Sequence, residues 1–184
     1  MDSVSEEDLF DEVESAAYKA FCELFENGEH FYYCSLITTG EALPPVVVAW
    51  SHEALERYFI ENEGSEEDAR LIKWSYAESP YFDFGSGYFE KVRELFHLRP
   101  EMNSKLSKHD WNIEFDIRLR IMEAVMKHLD EKGIFGIGEK RNGIVINVEV
   151  MPPDYENTLR AMRLNPSSAL SQWLLEAAEP IPNM

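Results

Sequence analysis

The sequence predicts an α+β fold: a small antiparallel sheet of about four strands packed against several helices, one of them long, central and amphipathic. Three observations support this prediction. Apolar residues recur at helical spacing through residues 111–133, aromatic and β-branched residues dominate the runs 30–39 and 46–50, and shorter helical patterns flank these segments. With 184 residues, the chain is long enough for one core, so we expect residues 1–184 to form a single α+β domain.

The central helix has the clearest pattern in the chain. Its apolar stripe is broad enough to need a sheet or other helices to cover it. The residues of the stripe are Phe115, Ile117, Leu119, Ile121, Met122, Val125, Met126 and Leu129. The opposite side is typical of a wetted surface and carries Glu114, Asp116, Arg118, Arg120, Glu123, Lys127 and Asp130. Asp110 or Asn112 can cap the start of this helix, and Gly133 lies where a left-handed residue would end it.

The first quarter of the chain predicts a helix followed by a pair of strands. Ser5 precedes three acidic residues and begins the helix, which Asn27-Gly28 ends. The runs 30–39 and 46–50 are separated by a short turn, so we expect them to pair in antiparallel fashion, with the second strand more buried. Ser51 then caps a short helix.

The sequence after the central helix predicts two more strands and two more helices. Residues 134–137 and 143–151 are expected to be strands, and Asn142-Gly143 between them is a good turn signal. Asn165-Pro166 separates the last two helices. Besides these helices and the two in the first part of the chain, helical patterns lie at residues 69–74 and 88–98, and the last two helices are expected at residues 155–164 and 168–177.

The formal charge of −18 is the strongest compositional signal. So acidic a chain repels phosphate backbones, and its small basic groups, Lys140-Arg141 and Arg160 with Arg163, are flanked by acids, so we expect no nucleic-acid partner. The functional interpretation of the acidity is attraction to a basic protein partner. The alternative interpretation is that the charge only keeps the protein soluble.

Targeting signals and cysteine usage predict a cytoplasmic protein. The first eight residues contain no basic region and no apolar core, which excludes a secretory signal, and no apolar run approaches the span of a bilayer. Cys22 and Cys34 are the only cysteines, and both lie in apolar segments. We expect two buried thiols in a reducing compartment.

Motifs for metal binding, catalysis and cofactor binding are not recognisable in the sequence. The five histidines form no pair at ligand spacing with a second acid or cysteine motif. Gly-x-Ser-x-Gly is absent, and Gly85-Ser86-Gly87 is only a weak candidate for a phosphate site. We therefore predict no catalytic residue, no metal site and no cofactor.

The best candidate for a binding surface is the irregular aromatic segment at residues 74–84. Its candidate binding residues are Trp74, Tyr76, Glu78, Tyr81 and Asp83. Aromatic side chains interleaved with carboxylates can line a groove or an interaction surface. Alternatively, the aromatic side chains cap one end of the sheet and the two carboxylates lie in solvent. A general acid–base role for Glu78 and Asp83 lacks a partner base.

The chain resembles a bacterial family catalogued as domain of unknown function 4303. The residues that carry the resemblance are Trp74 with Glu78, the helix-to-strand junction at residues 129–136, the strand Val145-Ile146-Asn147-Val148, and Leu164-Asn165-Pro166. These residues are spread over most of the chain. The resemblance lies in their order along the sequence more than in any dense motif. The resemblance implies a single cytoplasmic α+β domain in a bacterium, and it brings no catalytic residues.

Three functional hypotheses remain open after the sequence is read. The first is a non-enzymatic acidic protein-binding domain, for example an immunity-type inhibitor of a toxin, because acidic inhibitors associate quickly with basic targets. The second is a small-ligand-binding protein or an enzyme with a pocket near residues 74–84. The third is a structural subunit that forms a homo-oligomer through an aromatic patch.

Overall fold

The computed structural model describes residues 4–62, 65, 68 and 72–182. Within these residues, six helices and one three-stranded sheet form an α+β fold. The helices are α1 (Glu6–Phe25), α2 (His52–Asn62), α3 (Glu90–Leu98), α4 (Lys108–Glu131), α5 (Tyr155–Leu164) and α6 (Ser167–Glu176). The strands are β1 (Phe31–Thr39), β2 (Val46–Ser51) and β3 (Val145–Met151). The predicted fold class and the long central helix, α4, are confirmed.

The sheet is mixed and has the strand order β2-β1-β3. β1 and β2 pair antiparallel, as the sequence predicts, whereas β1 and β3 pair parallel, with Tyr33 opposite Val145. The predicted antiparallel sheet of about four strands is therefore wrong in the direction of β3 and in strand number for the described residues. Residues 134–137 form turns instead of a strand. Gly133 and Gly136 have φ of 78° and 91°, values that an extended strand excludes.

Helices and loops cover both faces of the sheet. One face packs on α1 and α4 and contributes Cys34 and Leu36 to the larger apolar cluster. The other face presents Tyr33 and Ile37 to a smaller cluster that includes Trp173 of α6. Because successive side chains of a strand point to opposite faces, this alternation follows from the sequence of β1.

The apolar stripe of α4 is buried as predicted, with two exceptions. Phe115 and Ile117 are half-buried, and the remaining stripe residues are buried. The predicted wetted side is wrong at Glu114 and Arg118, each only 3% exposed. Arg118 donates to the carbonyl oxygens of residues 42 and 100 and to Glu114, which explains why this charged pair leaves solvent.

The caps of the first helix and of α4 show how local sequence sets the helix ends. Ser5 and Asp8 form a reciprocal capping box at the start of α1. At the start of α4, Ser107 accepts a hydrogen bond from the backbone N–H of Asp110, so the helix begins earlier than the predicted caps imply. Gly133 follows α4 with φ of 78°, as its position predicts.

Segments packed beside the sheet satisfy its two edges. Along β2, Ser79 donates to the carbonyl oxygen of Ala49 at 2.6 Å, and the backbone N–H of Phe84 donates to that of Val47 at 3.2 Å. Along β3, side chains of α5 and the residue after it take the same role. These contacts occupy part of each edge and reduce its capacity to pair with another strand. None of the described helices is both long and apolar enough to cross a membrane.

Candidate functional site

A cleft of about 250 Å³ opens between the end of β3, the end of α6 and the segment that begins at Trp74. We call it the Glu149 cleft. The lining residues that carry its chemistry are three aromatic residues and three acids: Trp74, Tyr76, Trp173, Glu149, Glu176 and Glu179. Trp173 is buried, whereas Trp74 and Tyr76 are half-buried and keep part of their rings accessible. The cleft therefore combines negative charge with aromatic surface.

Glu149 is the central carboxyl group of this cleft. The Tyr33 hydroxyl donates to its Oε1 at 2.7 Å, and Asn147 Nδ2 donates to the same oxygen at 3.1 Å. Among the described residues, no donor reaches Oε2 and no basic side chain forms an ion pair with Glu149. Burial raises the pKa of Glu149 above its usual value, although these two hydrogen bonds and the charge of Arg160 favour the carboxylate. A perturbed carboxyl group in a cleft is a good marker of a functional site.

The amide beneath Glu149 is also incompletely bonded. Asn147 is fully buried, and its Oδ1 has no hydrogen-bond partner among the described residues. Its Nδ2 is shared between Glu149 and the carbonyl oxygen of Asn157. A buried polar atom without a partner is uncommon in native structures and requires an explanation.

Glu176 differs from Glu149 because both oxygens of its carboxylate accept hydrogen bonds. Lys73 Nζ and Trp74 Nε1 donate to Oε2 at 3.0 and 2.8 Å, and Gln172 Nε2 donates to Oε1 at 2.9 Å. Burial raises the pKa of Glu176, but these three hydrogen bonds outweigh it and hold the pKa below the usual value. The Lys73 ammonium also lies 4.9 Å from the centre of the Trp74 ring. Lys73 does not line the Glu149 cleft, so its ammonium group reaches Glu176 and Trp74 from outside this cleft.

Trp74 also separates the Glu149 cleft from a second cleft of similar volume. Its ring packs edge-on against the rings of Tyr32 and Tyr33, with centroid distances of 5.1 and 5.9 Å. The second cleft is lined by Trp74, Lys73 and residues near the start of α6. Because Trp74 is held by both tyrosines and by Glu176, it is a fixed wall for both clefts.

The five residues that the sequence predicts as a binding surface do not form one site. Trp74 and Tyr76 line the Glu149 cleft. Glu78 is exposed and accepts a hydrogen bond from Ser75. Asp83 is exposed, in a turn with φ of 55°.

Tyr81 belongs to a separate polar cluster. Its hydroxyl donates to Glu29 at 2.6 Å and accepts from Asn27 at 3.0 Å. Glu29 also accepts from Arg57 at 2.5 Å, which ties the start of β1 to α2. Tyr81 thus has a structural role here, in agreement with the alternative that the aromatic side chains cover the sheet.

Four cleft residues that carry charge or aromatic surface are not among the predicted binding residues: Glu149, Trp173, Glu176 and Glu179. Glu149 does have a sequence signal: it is the one charged residue in the otherwise apolar and amide run of β3. A charged side chain in a strand that is buried on both faces is uncommon. The other three lie in and after α6, and only the tertiary fold brings them to Glu149.

Two of the basic residues that the sequence singles out, Arg141 and Arg160, are structural. Arg141 is buried and donates to Asp130 and to the carbonyl oxygens of Ile144 and Leu164. Arg160 is buried and donates to the carbonyl oxygen of Val148 at 2.7 Å.

The described residues contain no group of three histidine, cysteine, aspartate or glutamate side chains arranged to hold a metal ion.

A sequence profile described as "Domain of unknown function (DUF4303)" matches residues 13–166. The match covers most of the chain and includes β3 and Asn165, two of the features on which the resemblance rests. It also includes Trp74, Tyr76 and Glu149, whereas the part of the cleft formed by α6 and the residues after it lies beyond the match. Neither a curated protein nor a solved structure matches the chain.

Proposed function

The chain belongs to the DUF4303 family, whose description names no activity, and we propose that it is a non-enzymatic acidic domain that binds a basic partner protein. An immunity-type inhibitor of a basic toxin is one form of this function. The observation that supports the proposal is the Glu149 cleft, in which a carboxyl group with an open oxygen faces an aromatic wall. A cationic side chain of the partner complements both features.

The net charge of the chain supports the same partner. At −18, the chain attracts a basic protein over several ångströms, and this attraction raises the association rate at low salt. Added salt screens it, because the Debye length falls to about 3 Å at 1 M ionic strength. The proposal therefore predicts binding that weakens as salt increases.

Two exposed apolar side chains of α6, on the side of the helix opposite the cleft-lining Trp173 and Glu176, support a protein as the partner. Leu175 of α6 is 88% exposed, and its neighbour Leu174 is 39% exposed. Both lie on the helix that contributes Trp173 and Glu176 to the cleft. A protein interface combines such apolar contacts with a few polar anchors, whereas a small ligand in the cleft leaves these leucines in water.

A small cationic ligand is the second candidate. The observation that favours it is the cleft itself, because aromatic walls and carboxylates can hold an organic cation without any protein partner. A homo-oligomer through the leucines of α6 is the third candidate, and light scattering of the purified protein tests it.

The deciding experiment is affinity capture from a lysate of the source cell, at low and at high salt, followed by mass spectrometry. Three baits are compared: the wild-type protein, Glu149→Gln, and Glu131→Gln as a control that removes the same charge from an exposed position of α4 outside the cleft. We expect a basic protein that the wild-type and Glu131→Gln baits retain at low salt, that high salt releases, and that Glu149→Gln retains poorly. No basic protein on the wild-type bait at either salt contradicts the proposal.

A further inference from the structure

We infer that the Glu149 cleft takes a primary ammonium group on an unbranched alkyl stem, which in a protein partner is the side chain of a lysine. This inference deepens the proposed function, and it rests on that function for the statement that the ammonium group belongs to a protein. It selects lysine over arginine as the side chain that enters the cleft, and it assigns the binding of the positive charge to Glu149.

The hydrogen bonds within the cleft leave acceptor atoms without a donor, so a ligand with an N–H group fits the cleft. Glu149 Oε1 accepts from Tyr33 and Asn147, whereas Oε2 accepts from none of the described residues. Both oxygens of Glu176 are already occupied. Glu179 also lines the cleft, and its carboxylate accepts no hydrogen bond from the described residues, so open carboxylate oxygens remain on Glu149 and on Glu179. Of these two acids, Glu149 is the one that Tyr33 and Asn147 hold in place, and a charge-assisted hydrogen bond to its open oxygen is a strong polar contact.

Lysine fits this pattern better than arginine does. A guanidinium group binds a carboxylate most strongly through two parallel hydrogen bonds, one to each oxygen. Glu149 cannot accept in this way, because Tyr33 and Asn147 already donate to Oε1. An ammonium group is a compact point charge that needs only the one open oxygen. A quaternary ammonium has no N–H bond and would leave Oε2 without a donor.

The size and walls of the cleft fit an alkyl stem. At about 250 Å³, the cleft is smaller than the typical pocket of a drug-sized ligand, which begins near about 300 Å³. Trp74 and Tyr76 present accessible aromatic surface along which the methylene groups of a lysine can pack while its charged end reaches Glu149.

Lys73 provides an internal precedent for this recognition. Its ammonium group lies 3.0 Å from Glu176 Oε2 and 4.9 Å from the centre of the Trp74 ring. Lys73 lines the second cleft, so two residues of the Glu149 cleft, Glu176 and Trp74, already bind a lysine ammonium group that lies outside that cleft. The inferred site repeats this arrangement with Glu149 as the carboxylate and a lysine from outside the chain.

The inferred binding depends on pH with a defined sign. Around Glu149 lie Tyr33 of β1 and Asn147 of β3 as donors, Arg160 of α5 as a cation, and Glu176 and Glu179 as acids. Because burial raises the pKa of Glu149, the carboxyl group protonates at a higher pH than an exposed glutamate does. The ammonium binds the carboxylate form, so its affinity falls as pH drops through that pKa.

The test uses the full-length protein and short peptides in which only one side chain varies. The probes are acetyl-Gly-Lys-Gly-amide and its analogues with arginine, Nε-trimethyllysine or Nε-acetyllysine at the central position. Affinity is measured by calorimetry, and the indole ¹⁵N signals of Trp74 and Trp173 report whether the peptide enters the cleft. We expect the lysine peptide to bind about tenfold or more tightly than each analogue, because the analogues lose or weaken the charge-assisted hydrogen bond.

Two variants assign the binding to Glu149. Glu149→Gln keeps the acceptor for Tyr33 and removes the charge, so it is expected to weaken lysine binding about tenfold or more. Glu131→Gln, at an exposed position of α4 that lines neither cleft, is expected to leave lysine binding unchanged. Equal affinity for the arginine peptide, equal affinity of Glu149→Gln, or no binding of the lysine peptide at about 10 mM overturns the inference. Circular dichroism of each variant establishes that it is folded.

The outcomes distinguish the inference from the proposed function. If Glu149→Gln captures the basic partner from the lysate as well as the wild type does, the lysine site is wrong and the protein-binding function stands. If the lysine peptide binds but no basic protein is captured, the site stands and a small ammonium ligand replaces the protein partner.

Discussion

Asn165 makes both outward-pointing backbone hydrogen bonds of Ile146 with its side-chain amide. Its Oδ1 accepts from the Ile146 N–H at 2.8 Å, and its Nδ2 donates to the Ile146 carbonyl at 2.6 Å. Asn157 does the same for Val150, at 2.9 and 3.0 Å. An edge strand normally leaves these groups unpaired. Two amide side chains thus take the place of a fourth strand beside β3.

Asn165→Ala is expected to lower the free energy of unfolding by about 2–4 kcal/mol, because it leaves two backbone groups of Ile146 without partners at about 1–3 kcal/mol each. Urea denaturation of the purified variant measures the change. Asn112→Ala, at an exposed position of α4, is the control and is expected to stay within about 0.5 kcal/mol of the wild type. Equal stability of the two variants would show that the edge contacts add little.

Glu114→Gln is expected to be one of the most destabilising single charge changes in the protein. Glu114 accepts from Arg99 at 2.6 Å and from Arg118 at 2.7 Å, and all three side chains are at most 10% exposed. Removing the shared carboxylate leaves two guanidinium groups without their counterion, which costs about 3–5 kcal/mol for a buried pair. Thermal and urea unfolding measure the loss.

The control for this prediction is Glu6→Gln, which breaks the exposed ion pair between Glu6 and Arg120. We expect almost no change in stability, because water and salt screen exposed pairs. The difference between the two variants should depend on pH. Burial alone would raise the pKa of Glu114, but hydrogen bonds from both arginines hold this pKa below its usual value. The loss in Glu114→Gln therefore shrinks as pH falls through that lowered pKa.

Features fixed by neighbouring residues could be predicted from the sequence. The periodicity of α4, the capping box at Ser5, the cap at Ser51 and the glycine after α4 all depend on contacts within a few positions. The antiparallel pairing of β1 with β2 follows in the same way, because only a short turn separates the strands. Local propensity and periodicity therefore account for most of the helices and for this strand pair.

Features that depend on distant residues could not be predicted. Tyr33 lies opposite Val145 in the parallel pair, and no periodic pattern records a contact over that separation. Asn142-Gly143 resembles a hairpin turn, but the bonds of Arg141 to Asp130, Ile144 and Leu164 hold it in a short 3₁₀ turn. Side-chain contacts from other elements thus override the turn preference.

The candidate site contains both kinds of feature: residues that the sequence indicates, and residues that only contacts between distant parts of the chain bring together. Trp74 and Tyr76 stand out in the sequence because aromatic residues cluster in an irregular segment. Glu149 joins them only because β3 pairs with β1, which brings its carboxyl group to the Tyr33 hydroxyl.

The two thiols are expected to react very differently with a thiol reagent such as DTNB. The sequence predicts two buried thiols, but Cys22 is only half-buried, whereas Cys34 is fully buried. Burial also raises the pKa of the Cys34 thiol well above its usual value, which suppresses the reactive thiolate. We expect one fast thiol in the native protein and two in denaturant. Cys22→Ser should remove the fast reaction and Cys34→Ser should not, and the reverse result contradicts the burial of Cys34.

Glu149→Gln is expected to stabilise the unliganded protein at neutral pH, which separates a binding residue from a structural one. Burial raises the pKa of Glu149, so the folded protein holds this proton at a pH where the unfolded chain has released it. In that window the wild type loses stability as pH rises, and above the folded pKa the full penalty remains. Glutamine keeps the acceptor for Tyr33 and carries no charge.

We therefore expect the gain in Glu149→Gln to be small near pH 4 and to grow to at most about 2 kcal/mol at neutral pH, the scale for desolvating a polar group. Urea denaturation of both proteins across this range measures it, with Glu78→Gln as the exposed control. A loss of stability at neutral pH would contradict this sign and would show that the carboxylate stabilises the fold. A gain would mean that the fold is more stable without the charge, as expected for a residue whose charge serves a ligand.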